Sequence, residues 1–338
     1  MEKTVLTGIK PTGRVHIGNY FGAIKPAIEL SEQKDTKCLF FLADYHALNM
    51  MKDAKKFKEV CYDAAASWLA CGLNTDKVLF YRQSDIEEVF KLNWIISNVT
   101  PKGLMNRAHA YKAMVENNIK NGVDADAGVN MGLYNYPILM AADILLMDSN
   151  LVPVGLDQKQ HVEIAKEIAR MFNSNYGETF VMPDEMISKS VGTILGLDGR
   201  KMSKSYGNVI PLFCTETELK KTINRIVTDS TPVDEPKSID CSIFKIYSLF
   251  ANEKQIEEMK EKFATGIGWG EVKKQTFEVA NAMLAPMREK YDYYISHPEV
   301  IDAIFAKSAE EVRKIARATL NRVEKAIGRL WKDFYVMK

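Results

Sequence analysis

The sequence predicts an α/β protein, with a doubly wound parallel sheet in residues 1–205 and a helical domain in residues 206–338. Short, continuously apolar runs such as residues 38–43 are typical of parallel strands that are buried on both faces. These runs alternate with helical patterns, and that alternation is typical of a parallel sheet. Helical periodicity dominates from Thr215 onward, which predicts the helical domain.

The composition predicts a soluble globular protein of one large domain or two domains. The chain has 338 residues, of which 46% are hydrophobic and 26% are charged. Its net charge is only +1, so we expect any nucleic-acid surface to be a local patch rather than a global field. The cysteines form no C-x-x-C pair, which favours reduced thiols in the cytoplasm over a disulfide framework or a zinc site.

We expect neither a secretory signal nor a membrane span. The N-terminus lacks the apolar segment of a signal peptide. The most apolar run, residues 138–147, is about ten residues long and contains Asp143, so it is too short to cross a bilayer.

The first strand, predicted at residues 4–7, leads into a glycine- and proline-rich loop and then into a helix predicted over residues 17–30. Ligands of open α/β sheets bind at the carboxyl ends of the strands, and a helix N-terminus suits a phosphate. His16 and Asn19 lie three residues apart on the first helical turn, and both can hydrogen-bond phosphate oxygens. The alternative is a glycine-rich turn with a buried histidine.

The alternation continues with a strand over residues 38–43, a helix over residues 55–71 and a strand over residues 77–81. His46 follows the second of these predicted strands, which makes it a candidate site residue, and a packed core histidine is the alternative. Ser84-x-x-Glu87 predicts a capping box for a helix that ends near Asn98.

Residues 99–130 interrupt the alternation, and we expect an amphipathic helix over residues 105–117 within them. A helix is also predicted over residues 133–147, where the spacing places Tyr136, Met140 and Asp143 on one stripe. Asp143 has no cation within one helical turn, although buried carboxylates rarely lack a partner. It is therefore either an acceptor for a ligand N–H or the partner of a distant arginine or of backbone.

A short strand over residues 151–154 turns into a helix that ends near residue 172. Asp157 stands at the start of that helix, where it suits either a helix cap or a ribose hydroxyl. After a turn at residues 196–199, the sequence Lys201–Ser205 predicts a mobile cationic loop, and an ordinary solvated loop is the alternative.

The predicted helical domain carries two capping boxes, Thr215-x-x-Glu218 and Ser308-x-x-Glu311. Residues 313–332 are rich in lysine and arginine. Such a helix is usually a solvated face, and it also suits contacts with nucleic-acid phosphates.

His16–Asn19 and Lys201–Ser205 resemble the two signature sequences of class I aminoacyl-tRNA synthetases. Residues 136–146 and 152–161 resemble the tryptophan-specific branch of that family in bacteria, and the resemblance covers nearly the whole chain. It implies a Rossmann-like catalytic domain in residues 1–205. It also implies an anticodon-binding helical domain in residues 206–338, whose final helix can pack back on the catalytic domain.

Members of that branch activate L-tryptophan with ATP and Mg²⁺, release pyrophosphate, and transfer the amino acid to the 3′ end of tRNA(Trp). The resemblance therefore implies ATP, L-tryptophan and tRNA(Trp) as ligands, a cytoplasmic homodimer, and no metal held by the protein itself. The alternatives are a tyrosyl-tRNA synthetase-like enzyme, a nucleotidyltransferase, and a non-catalytic RNA-binding or regulatory paralogue. The last of these predicts erosion of His16, Lys201 or Lys204, and all three are present.

The resemblance implies roles for particular residues of this chain. Catalytic roles are implied for His16, Asn19, Lys201 and Lys204. The implied ATP-binding residues are Lys10, Pro11, Thr12, His16, Gly18, Asn19, Gly155, Leu156, Asp157, Ile194, Lys201, Met202, Ser203, Lys204 and Ser205. The implied tryptophan-binding residues are Leu6, Gly8, His46, Tyr136, Met140, Asp143, Val152, Val154 and Gln158. Lys10 departs from the pattern, since the family usually has glutamine there.

Overall fold

The computed structural model describes residues 3–11, 13–187 and 193–329. Its centre is a five-stranded parallel sheet with the strand order β3-β2-β1-β4-β5. The strands are β1 (Lys3–Ile9), β2 (Thr36–Leu42), β3 (Val78–Arg82), β4 (Leu151–Val154) and β5 (Asp184–Ile187). The predicted α/β class and the four predicted strands are confirmed, and β5 is a further strand at the edge.

Helices connect the strands and continue after the last strand as far as Ala326. They are α1 (Ile17–Asn19), α2 (Lys25–Ser31), α3 (Asp44–Ala47), α4 (Ala54–Ala70), α5 (Glu88–Ser97), α6 (Lys102–Met105), α7 (His109–Lys120), α8 (Met131–Leu146), α9 (Lys159–Tyr176), α10 (Glu216–Asn224), α11 (Ser242–Phe250), α12 (Glu253–Thr265), α13 (Trp269–Ser296) and α14 (Pro298–Ala326). In the part of the chain that the structure describes, no helix is long and apolar enough to cross a membrane.

Strand β2 shows why this sheet is wound on both sides. Successive side chains of a strand point to opposite faces, and Phe40 packs in one hydrophobic core with Trp68 of α4. Its neighbour Phe41 packs in a second core with Leu92 of α5. Because both faces are covered, the strand is a continuous apolar run rather than an alternating one.

The predicted first helix is confirmed as a helical segment, but it is not a regular α-helix. Between α1 and α2, residues Tyr20–Ile24 form a π-helical stretch. Such stretches occur often near functional sites, and this one directly follows the turn that carries His16.

Two of the three predicted capping boxes are wrong, and both failures have the same cause. The box at Thr215 is confirmed, since Glu218 N–H donates to Thr215 Oγ1 at 3.2 Å. Ser84 instead donates to Asp44, and α5 begins after Glu87 without a side-chain cap. Ser308 lies inside α14, where its Oγ accepts from Phe80 N–H of β3 at 3.1 Å. In each case a partner distant in sequence replaces the local one.

The last helix, α14, packs against the edge strand β3 and against α5. Two of its arginines bind the segment between β3 and α5 and the start of α5. Arg313 donates to the Asp85 carbonyl, and Arg317 donates to the Glu88 carboxylate. These arginines of the basic segment are therefore engaged within the chain. The helix predicted over residues 105–117 is confirmed over residues 109–117 as part of α7, but a turn separates α7 from α6.

Candidate active site

Residues from the ends of three neighbouring strands form the candidate site. β1 leads into the loop before His16, β2 into α3 with His46, and β3 into a 3₁₀ turn over Gln83–Asp85. Because the strands are parallel, these segments meet at the carboxyl edge of the sheet, where open α/β sheets bind ligands.

The first loop is held by a segment from far along the chain. Ile17 N–H donates to the Ile210 carbonyl, and Leu212 N–H donates to the Val15 carbonyl, both at 3.0 Å. His16 is 8% exposed, and its backbone N–H donates to Asn19 Oδ1 at 3.2 Å. Two backbone hydrogen bonds therefore hold the loop against residues 210–212.

The His16 side chain carries an unpaired buried nitrogen. Within the described residues, Nδ1 has no hydrogen-bond partner. Burial and, to a smaller extent, the nearby charge of Lys204 together lower the pKa of His16 to about 4. The imidazole is therefore neutral near pH 7, and it can donate or accept a hydrogen bond without carrying charge.

The two signature sequences lie against each other, as the resemblance implies. Lys204 Nζ donates to the Gly13 carbonyl at 3.1 Å. A Cβ atom at Gly18 would lie 2.9 Å from the His16 ring and 3.4 Å from the Met202 sulfur. Glycine is therefore required at Gly18 for these two side chains to approach. Burial lowers the pKa of Lys204, and the Asp63 carboxylate opposes that shift.

A buried asparagine that the sequence did not indicate supports the second signature. Asn208 is 3% exposed, and its Oδ1 accepts from Ser203 N–H at 2.8 Å. Its Nδ2 donates to Asp198 Oδ1 at 2.7 Å and to the Lys201 carbonyl at 3.2 Å. A Cβ atom at Gly196 would lie 2.3 Å from that amide nitrogen, so this glycine leaves room for it.

The loop itself exposes its cations. Lys201 and Lys204 are exposed, and Ser203 Oγ lies 2.8 Å from Ser205 Oγ. Met202 is 5% exposed, and its N–H donates to the Ile194 carbonyl at 2.8 Å. The methionine thus anchors the loop in the core, while Lys201 and Lys204 on either side stay exposed.

Asp143 is the most enclosed charged group of the site. It is 2% exposed, and Gln83 Nε2 donates to both of its oxygens at 2.9 Å. His46 Nε2 donates to Oδ2 at 3.0 Å. Among the described residues, Asp143 is thus bound by two side chains from the turns after β3 and β2, rather than by the arginine or backbone that the sequence left open as the alternative. Burial raises the pKa of Asp143, while His46 and Gln83 lower it.

A carboxylate offers about four lone-pair positions, and these three bonds leave Asp143 with capacity for one more donor. Sequence reasoning singled out Asp143 and His46 but missed Gln83. The signal that could have found it is a glutamine directly after an apolar strand. In the structure this glutamine is 0% exposed.

Tyr136 lies beside this group on α8. Its hydroxyl shares a hydrogen bond with His161 Nε2 at 2.7 Å, and its ring meets the edge of the His46 ring at 6.3 Å between centroids. His161 of α9 is 4% exposed and was not predicted as a site residue. Burial raises the pKa of Tyr136.

The remaining predicted residues differ in their surroundings. Leu6 and Val152 are buried on β1 and β4, and Met140, Val154 and Gln158 are half-buried. Gly155 and Leu156 are exposed, with Leu156 at 76%. Thr12 and the side chain of Asp157 lie outside the described residues.

Lys10 and its neighbours complete the first loop. Lys10 is exposed, and its ammonium lies 3.9 Å from the Met50 sulfur, while Gly8 is exposed and Pro11 is buried. Within residues 3–11, 13–187 and 193–329, no group of three or more His, Cys, Asp or Glu side chains could hold a metal ion.

The family described as tRNA synthetases class I (W and Y) matches residues 2–285. The chain belongs to this family. It is 47% identical over 332 residues to the tryptophan–tRNA ligase of Pseudomonas aeruginosa, and the matched segment covers 97% of this chain and 74% of that protein. It is also 47% identical over 329 residues to the tryptophan–tRNA ligase of Neisseria meningitidis serogroup A, with 97% and 98% covered.

Solved structures of this synthetase family agree. The crystal structure of tryptophanyl-tRNA synthetase from Campylobacter jejuni, complexed with ADP and tryptophan, is 42% identical. It superposes with a TM-score of 0.87 and covers 96% of this chain and 99% of that chain. Tyrosyl-tRNA synthetase from Archaeoglobus fulgidus, at 20% identity and a TM-score of 0.61, shares the fold. The predicted resemblance to bacterial tryptophanyl-tRNA synthetases is confirmed.

Proposed function

We propose that this chain activates L-tryptophan with ATP and transfers it to the 3′ end of tRNA(Trp). The observation that carries the proposal is the contact between the two signatures, in which Lys204 reaches the loop before His16 while Gly18 packs on Met202. The tryptophan–tRNA ligases that are 47% identical over almost the whole chain support the choice of amino acid.

In the first step, a tryptophan carboxylate oxygen bonds to the α-phosphorus of ATP, and the bond from that phosphorus to the β-bridging oxygen breaks. Tryptophanyl-adenylate forms and pyrophosphate leaves. In the second step, a ribose hydroxyl of the terminal tRNA adenosine, the 2′-hydroxyl in this class, attacks the tryptophan carbonyl and AMP leaves. The protein's work is positioning and charge stabilisation.

We assign the charge stabilisation to the two signatures. His16 and Asn19 hold phosphate oxygens as charge develops, and the buried, neutral imidazole has one ring N–H with which to donate a hydrogen bond there. Lys201 and Lys204 bind the departing pyrophosphate, which suits cations that extend from an exposed loop. Mg²⁺ bound with ATP would offset part of the phosphate charge.

The remaining contacts with the nucleotide follow from the same arrangement. Adenine and ribose lie against Gly18, the turn at Gly155–Asp157, and the backbone near Ile194 and Met202. Loop residues on either side complete the ATP site, namely Lys10, Pro11, Thr12, Ser203 and Ser205.

We place tryptophan against α8. Asp143 accepts the indole N–H with the lone pair that Gln83 and His46 leave available. Tyr136 and Gln158 bind the α-ammonium group. The indole ring packs among Leu6, Gly8, Met140, Val152 and Val154. In this proposal His46 acts through Asp143, because its Nε2 donates to that carboxylate.

We further propose a cytoplasmic homodimer that binds tRNA across both subunits, as the family resemblance implies. An exposed apolar group on α3 and α5 fits a subunit contact: Tyr45 is 42% and Trp94 72% exposed, and the Tyr45 ring packs on Phe90 at 4.9 Å. Homo-oligomers of this kind are usually symmetric dimers. Light scattering that finds a monomer at working concentration contradicts this part of the proposal alone.

Pyrophosphate exchange with each of the twenty amino acids tests the central claim. We expect ATP–pyrophosphate exchange that depends on L-tryptophan and is far weaker with every other amino acid. Exchange with tyrosine instead would favour a tyrosyl enzyme, and exchange with none would favour a regulatory paralogue.

A further inference from the structure

Two turns carry the side chains that bind Asp143. His46 lies on α3, directly after β2, and Gln83 lies on the 3₁₀ turn directly after β3. Asp143 on α8 is 97 residues from His46 and 60 residues from Gln83. The orientation of its carboxylate therefore depends on how the two turns are held relative to each other.

Asp44 and Ser84 join these turns directly. Ser84 Oγ donates to Asp44 Oδ2 at 2.5 Å, and Ser84 N–H donates to Oδ1 at 3.1 Å. Asp44 is 5% exposed and also accepts from Tyr45 N–H at 3.0 Å. Hydrogen bonds to a buried carboxylate are stronger than the same bonds in water, so this link resists displacement.

These four residues, two from each turn, thus form two pairs. Asp44 and Ser84 bind each other across the gap between the turns, and His46 and Gln83 bind Asp143. A short separation in sequence connects each member of the first pair to a member of the second. Movement of one turn relative to the other would displace a donor of Asp143.

We infer that Asp44 and Ser84 are positioning residues for tryptophan, because they hold His46 and Gln83 where both donate to Asp143. The inference rests on the proposed function, in which Asp143 accepts the indole N–H. Without the link, the carboxylate loses its fixed orientation while the apolar walls of the pocket remain. The loss should therefore fall on recognition of the N–H and spare the rest of the indole ring.

The test compares L-tryptophan with its benzothienyl analogue, which has sulfur in place of the indole N–H. Pyrophosphate exchange gives kcat/KM for both amino acids with wild type and with Ser84→Ala, and the KM for ATP is measured in parallel. Ser97→Ala is the matched control, since Ser97 is also half-buried and its hydroxyl donates to the Asn93 carbonyl within α5.

We expect Ser84→Ala to lower kcat/KM for tryptophan by roughly 10- to 100-fold, the range of one hydrogen bond to a charged group. The value for the analogue and the KM for ATP should change less than threefold, about 0.6 kcal/mol by RT ln 3. Ser84→Thr should restore tryptophan use, because it keeps the hydroxyl and a cavity of about 250 Å³ beside Ser84 has space for the methyl group.

An equal loss for tryptophan and the analogue, or no loss, overturns the inference. If Ser84→Ala does not fold, Asp44→Asn replaces it in the same comparison, because it keeps the shape of the side chain and weakens the link. The wild-type arm tests the proposed function separately. Wild type that does not exchange with tryptophan overturns that function. An active wild type whose variant loses tryptophan and the analogue equally, or loses neither, overturns only the positioning role.

Discussion

The two ends of the candidate site are built in opposite ways. Around Asp143, the acceptor is 2% exposed, and side-chain donors from the turns after two strands fix it before any ligand is present. Around Lys204, the cation extends from an exposed loop, and a backbone carbonyl, that of Gly13, accepts from it.

The difference corresponds to two kinds of chemical task. A wrong amino acid is rejected when its binding leaves a desolvated acceptor of the protein without a donor. A fixed, buried carboxylate is such an acceptor. Stabilisation of charge that appears only during the reaction requires groups that reach the developing charge, and cations on a loop can do so. Three changes test this contrast.

The largest effect is expected from Asp143→Ala. It removes the acceptor for the indole N–H, so the ratio of kcat/KM for tryptophan over phenylalanine should fall by on the order of 10⁴-fold. Discrimination against an indole analogue without the N–H should fall as well. Asp143→Asn keeps one acceptor oxygen and should retain partial activity. Pyrophosphate exchange with each amino acid measures these ratios.

Asp302→Asn is a control for this change, because Asp302 binds Arg82 and Tyr62 away from α8. It should leave the tryptophan-to-phenylalanine ratio unaltered. If Asp143→Ala also leaves that ratio unaltered, Asp143 is a structural acid and the indole binds elsewhere.

Lys204→Ala should have the next largest effect, and the effect should be on rate. We expect adenylate formation to slow by roughly 10²- to 10³-fold, because a charge-assisted contact made mainly in the transition state is lost. Tryptophan binding should change little. Single-turnover adenylate formation and the tryptophan Kd together separate the two effects.

Lys260→Ala is the control for loss of a positive charge, since the Lys260 side chain is 41% exposed on α12 and pairs with Glu257. A Lys204→Ala enzyme with a normal single-turnover rate and only a weaker tryptophan Kd would contradict the assigned role.

The smallest effect concerns His16 and pH. Burial lowers the pKa of His16 from 6.5 to about 4, so between those values the unfolded chain binds more protons than the folded chain. The free energy of unfolding therefore falls as pH decreases from 6.5 to 4, and this contribution is fully present above pH 6.5. His16→Asn removes this pH-dependent contribution. Between pH 7 and pH 5, the free energy of unfolding of the variant should therefore fall by roughly 1–2 kcal/mol less than that of wild type.

Urea unfolding at pH 7 and pH 5 measures this difference, with His297→Asn as a control at an exposed histidine. Equal losses in wild type and His16→Asn would show that His16 is not held neutral by burial.

The sequence predicted the sheet because buried parallel strands leave a local signal. Residues 38–43 form one uninterrupted apolar run, and β2 ends at Leu42 within it. Helix α4 was predicted to within one residue at each end, because a helical pattern ends at Gly72, whose φ of 100° suits glycine. Both predictions depend on residues close together in the chain.

The partners in the site were not predictable in this way. Asp143 was singled out because a carboxylate stood in an apolar pattern, but its partner Gln83 is 60 residues away and Ser84's partner Asp44 is 40 residues away. Asn208 contacts the loop through backbone groups, which leave no mark on the sequence around them. Non-local hydrogen bonds decide the partners of Asp143 and Ser84, and local patterns do not contain them.

The packing of α14 against β3 has a consequence for synthesis of the chain on the ribosome. β3 is an edge strand, and Phe80 N–H finds its acceptor in Ser308, which is 228 residues later. At 5–20 residues per second, translation takes roughly 10–50 s to make the intervening segment. During that interval the edge of the sheet is open to pairing with other strands, as unprotected edges are. The nascent chain, rather than the finished protein, is therefore the form most exposed to aggregation.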